Sequence, residues 1–86
     1  MNLLELRNKI DLIDDKIAAL YIERMGVCRA VGEEKAKHST AVENSGREKE
    51  ILTRVTDAMP EDIRQYGEKL FQTLFETSKE YQKTIK

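Results

Sequence analysis

Leu3, Leu6, Ile10, Ile13, Ile17 and Leu20 recur in alternating steps of three and four residues, the spacing of an apolar seam along one face of an α-helix. Continued, the same steps reach Arg24, Val27 and Val31, so a guanidinium stands where the pattern asks for an aliphatic side chain. No proline interrupts the run, which predicts a first helix from about Leu3 to about His38. Gly26 and Gly32 are its weak points, each costing up to about 1 kcal/mol relative to alanine. At about 1.5 Å per residue such a helix is roughly 50 Å long, whereas a compact globule of this chain length has a radius of gyration of only about 12 Å. One chain does not cover that helix, and the expectation is an intertwined homodimer in which two long first helices pack together.

The stretch from Ser39 to Asn44 reads as a loop, and Ser45-Gly46-Arg47-Glu48 has the form of a capping box opening a second helix. Ile51, Leu52 and Val55 give that helix a buried face, and Asp57-Ala58-Met59 ends it. Pro60 suits the first turn of a third helix, which continues through Ile63, Leu70, Leu74 and Tyr81 to about Ile85. Phe71, Phe75, Ser78, Gln82 and Ile85 make a second helical stripe, interrupted by a hydroxyl and an amide. The predicted fold is therefore all-α, three helices in a single domain over residues 1–86, with no repeat and no low-complexity segment. Two helices that each lose their apolar face in one place imply a polar pocket inside a helical core.

Composition narrows the function classes. The 86 residues are 40% apolar and 36% charged with a net charge of −1, which fits a soluble helical protein. Neither a basic excess nor a basic run marks a phosphate-binding surface, so nucleic acid is not an expected partner. Cys28 is the one cysteine and has no internal disulfide partner, which fits a reducing interior. No apolar stretch approaches the length of a membrane span or a signal core, and the expected location is the cytoplasm.

Arg24 and Lys35 are eleven residues apart, which places them only about 20° apart around the helix. Cys28 and Val31 lie between them, small enough to leave a shallow strip flanked by two cations. Such a strip suits a small anion charged in two places. Ser78 and Gln82, four residues apart, project together and bring a hydroxyl and an amide to the same ligand. Arg7 is about 25 Å from Arg24 along the same helix, so it joins that site only from a second chain. Arg47 and Glu48 are placed to close the pocket from above. Nucleophile–base pairs, paired acids, metal clusters and glycine-rich phosphate loops are absent from the pattern, so any catalysis here works by holding and by electrostatics.

Plainer readings stand beside these. Arg24 also fits an ion pair across a dimer, Lys35 a solvated helix position, and Arg7 a surface pair with Asp11. Glu48 is accounted for by the capping box, Gln82 by an interface hydrogen bond, and Cys28 by its small size in a core. His38, near the end of the first helix, fits a dipole-stabilising role better than catalysis.

The ordered series Leu3-Leu4-Glu5-Leu6-Arg7, Ile10, Asp14, Ile17, Glu23-Arg24, Val31-Gly32-x-x-Lys35, Arg47-Glu48, Leu70-Phe71 and Ser78-x-x-x-Gln82 resembles the all-helical class of chorismate mutases. It is similar to the N-terminal mutase domain of the bifunctional mutase/prephenate dehydratases. The resemblance implies an intertwined dimer of three-helix chains and the Claisen rearrangement of chorismate to prephenate, in aromatic amino acid biosynthesis, without a cofactor. It implies that Arg7 of the partner chain, Arg24 and Arg47 hold the two carboxylates of the substrate. Lys35 and Gln82 would donate to the ether oxygen, Glu48 would accept from the ring hydroxyl, and Ser78 would assist a carboxylate.

The chain departs from the family pattern at Asn44, where an aspartate commonly precedes the Arg-Glu pair. Asn44 serves if that position offers its backbone N–H to the ring hydroxyl, and serves less well if a carboxylate must orient Lys35. Two rivals remain on the sequence. An isochorismate-pyruvate lyase shares the scaffold, but those known resemble this chain less at Glu48. A non-catalytic helical dimerisation or ligand-sensing module would bind without turnover.

Overall fold

The computed structural model describes residues 1–38 and 45–85, which form three α-helices: α1 (Leu3–Lys37), α2 (Ser45–Asp57) and α3 (Glu61–Lys83). The all-helical, three-element reading therefore holds, with boundaries within about two residues of those expected. The expected loop over 39–44, Asn44 included, lies outside the described residues.

Each helix end has a local cause. Asn2 caps α1, its side-chain oxygen accepting from the Glu5 N–H at 2.8 Å, and His38 closes the far end with its backbone N–H on the Ala36 and Lys35 carbonyls. The helix runs through Gly26 and Gly32 without a break. At α2 the helix already includes Ser45, the residue that the capping box puts at the cap. Arg64 finishes α2 from the next helix, donating from Nε to the Thr56 carbonyl and from Nη2 to the Met59 carbonyl, both at 2.9 Å. A cation on the last carbonyls opposes the negative end of the helix dipole. Pro60 is the N-cap of α3, just outside the first turn where the sequence reading placed it. Gly67 leaves room for the Met59 side chain to fold over the start of α3; a Cβ there would collide with it.

α3 is the central element: it packs on the C-terminal half of α1 on one side and on α2 on the other, while α1 and α2 make no direct packing contact among the described residues. Tyr21 ties α1 to α3 through its hydroxyl, which donates to Thr77 Oγ1 at 2.9 Å. Further along, Gly32 lets the end of α3 come close, since a Cβ at that position would lie 3.1 Å from Gln82 Cγ.

The N-terminal half of α1 has no neighbouring helix among the described residues. The seam expected to be buried is 44 to 63% exposed from Leu3 to Leu20, and Ile63 and Leu70 of α3 are also about half exposed. Phe75 is the single buried apolar side chain among the described residues, with Phe71 packed edge-on against it at 6.3 Å between ring centroids. The radius of gyration is 15.9 Å and the long axis 54 Å, well beyond the compact expectation. Among the described residues, no helix is long and apolar enough to cross a membrane.

Candidate active site

Because α1 and α2 stand apart on either side of α3, a cleft of about 300 Å³ opens between them. That is the lower end of the range for small-molecule sites. Its floor is the interrupted stripe of α3, Phe75, Ser78 and Gln82, all buried. One wall is the α1 strip Arg24, Val27, Cys28, Val31 and Lys35, and the other is Arg47, Glu48 and Ile51 of α2. Lys79 completes the lining.

Six of the eight sequence-expected site residues thus meet in one place: Arg24, Lys35, Arg47, Glu48, Ser78 and Gln82. Arg7 does not line the cleft of its own chain, as its distance along α1 requires. Asn44 lies outside the described residues. The sequence reading missed Lys79. It sits about 100° around α3 from Ser78, off the stripe that the periodicity picked out.

The polar floor is internally bonded. Arg24 Nη1 donates to Ser78 Oγ at 2.6 Å and to Cys28 Sγ at 3.6 Å, and the Cys28 thiol donates to Ser78 Oγ at 3.3 Å. Ser78 Oγ therefore accepts twice, which uses both lone pairs and leaves its own O–H as a donor. Among the described residues no carboxylate pairs with Arg24. Gln82 donates from Nε2 to the Cys28 carbonyl at 3.0 Å, which orients the amide and leaves it a second N–H.

Among the described residues, Arg24, Lys35, Arg47 and Lys79 face the cleft together with one carboxylate, Glu48. Lys79 Nζ lies 3.4 Å from Glu48 Oε1, and Arg47 Nη1 lies 2.6 Å from Glu50 Oε1 at the exposed rim. Beside the cleft, the exposed Arg29 guanidinium is held further toward its charged form by the Tyr81 hydroxyl and by Glu33. Such a site attracts a small dianion and fixes it by donors, with one acceptor for a neutral hydroxyl. The described residues contain no group of His, Cys, Asp or Glu side chains placed to hold a metal ion.

Comparison with known proteins gives the family of the chain. The model of the family "Chorismate mutase type II" matches residues 6–83. A chorismate mutase of Methanocaldococcus jannaschii is 37% identical over 83 residues, covering 94% of this chain and 84% of the relative. No solved structure matches significantly. With the match running from the seam of α1 to the last turn of α3, across every wall of the cleft, the chain belongs to the type II chorismate mutase family.

Proposed function

We propose that the chain is an isomerase that rearranges chorismate to prephenate in the cleft between its three helices, working as a homodimer and without a cofactor. The observation that carries this reading is the cleft itself: four cations and three neutral donors or acceptors converge on a volume suited to one small dianion.

Chorismate is a flexible dianion that must bring its two reacting carbons together before they bond. Cations fixed on rigid helices select that compact conformer, and effective concentrations of this kind account for several kcal/mol of a barrier. Arg24 and Arg47 hold the carboxylates, with Arg7 of the partner chain, and Ser78 adds its remaining O–H. As the C–O bond breaks, negative charge grows on the ether oxygen. Lys35 and the second N–H of Gln82 donate to it and bind the transition state more tightly than the substrate. Glu48 accepts from the ring hydroxyl, and Asn44 belongs to the substrate-binding set. An acceleration of about 10⁶ corresponds to about 8 kcal/mol of such differential binding.

The uncovered seam of α1 supports the dimer. Burying a leucine or isoleucine contributes about 1.5–3 kcal/mol relative to exposure, and six such side chains line the seam in the half of α1 that no described residue of the chain covers. The partner helix that covers them also brings Arg7 toward the second site. The lone thiol of Cys28 fits a reducing cytoplasm.

The test is to incubate the purified chain with chorismate at neutral pH, follow the loss of its ultraviolet absorbance and identify the product. Prephenate formed catalytically is the expected result. A folded protein without turnover would sink the proposal and make isochorismate the next substrate to try.

A further inference from the structure

Lys79 occupies a place in the cleft that none of the roles above uses. Its ammonium lies 3.4 Å from Glu48 Oε1, and the two side chains are 25% and 26% exposed. The other ion pairs that join two described residues link side chains three or four positions apart in sequence and are at least half exposed on both sides. The Lys79–Glu48 pair alone among them crosses between helices, from α3 to the first turns of α2, over 31 residues of chain.

From this we infer that Lys79 is a positioning residue for the acceptor carboxylate of the site, an inference that rests on the proposed rearrangement. A glutamate side chain has three rotatable bonds, and an exposed ion pair does little to restrain it. A partly buried one restrains it more, because water competes less for both partners. With Oε1 held by Lys79, the other oxygen of Glu48 faces a fixed direction and keeps its lone pairs for the hydroxyl of the substrate. Without Lys79, Glu48 faces the remaining cations of the cleft, and an ion pair with any of them takes the carboxylate off the hydroxyl and a cation off the substrate. Since the hydroxyl contact exists in the bound substrate as well as in the transition state, its loss registers mainly in KM.

The experiment is a double-mutant cycle on the full-length chain with chorismate: wild type, Lys79→Met, Glu48→Gln and the pair, with Lys79→Arg as the conservative variant. Lys79→Met lowers kcat/KM about tenfold, chiefly by raising KM, and Lys79→Arg keeps it within about threefold of wild type. In the Glu48→Gln background the same Lys79→Met change costs less than about twofold, because the carboxylate it served is already gone. An equal loss in both backgrounds, or an unchanged kcat/KM in Lys79→Met, overturns the inference. A purely structural role would lower the thermal midpoint and the folded fraction while leaving KM where it was, which also overturns it. Wild-type protein that forms no prephenate removes the rearrangement itself and this inference with it; turnover with additive effects removes the inference alone.

Discussion

Gln82 and Gly32 meet where the last turns of α1 and α3 converge, the Gln82 side chain passing directly over the hydrogen that replaces a side chain at Gly32. The amide reaches the Cys28 carbonyl one helical turn earlier, at 3.0 Å. A position that the sequence marks as a weak point of α1 is thus the seat of a site residue. Gly32→Val displaces Gln82, because the added Cβ alone would lie 3.1 Å from Cγ. The expected result is a drop in kcat of about tenfold or more with a lowered thermal midpoint. Gly26→Ala is the control: nothing lies within 4 Å of a Cβ there, so this change stabilises by about 0.5–1 kcal/mol and leaves turnover intact. Thermal unfolding and initial rates on the two variants check both halves.

Arg24→Ala removes a donor that holds Ser78 and Cys28 and that faces the cleft with no carboxylate partner among the described residues. Loss of one preorganised donor of this kind lowers kcat/KM by about 10²–10³. Circular dichroism and sedimentation remain those of the parent. A variant that unfolds yet keeps its activity per folded molecule would assign Arg24 a structural role instead.

Gln82→Ala lowers kcat more than it raises KM, since the amide is assigned to charge that develops only in the transition state. The amide does not titrate, so the parent shows no loss of turnover traceable to this residue between about pH 5 and 8. A steep change across that window, with the fold intact by circular dichroism, would contradict the assignment.

Arg7→Ala and Arg24→Ala, each inactive alone, complement when unfolded together and refolded in equal amounts. In a twofold dimer one of the two sites in each mixed pair inherits both wild-type arginines, so about a quarter of the parent activity returns. Mixtures no more active than their components would show that Arg7 does not act across the chains.

Much of this site was legible in the residue pattern because polar side chains that interrupt an apolar period are visible against it. Arg24 in the seam of α1, and Ser78 and Gln82 in the stripe of α3, are of that kind, and all three line the cleft. Lys35 followed from helical geometry on α1, and Arg47 with Glu48 from the loop that precedes them. Lys79 was not legible: a lysine beside a stripe looks like any solvated helix residue until α2 brings Glu48 to it. Periodicity also reported which faces are apolar without saying what lies on them. The same pattern holds Phe75 against α3's neighbours and leaves Ile10, Ile13 and Ile17 open on one chain.

Phe75 as the single buried apolar side chain among the described residues has a thermodynamic consequence. A chain this thinly filled gains stability from anything that covers α1. If a second protomer does so, folding and association are one reaction, and the unfolding free energy contains the logarithm of protein concentration. The melting temperature then climbs with each tenfold increase in protomer, and gene dosage becomes a determinant of how much of the chain is folded at all.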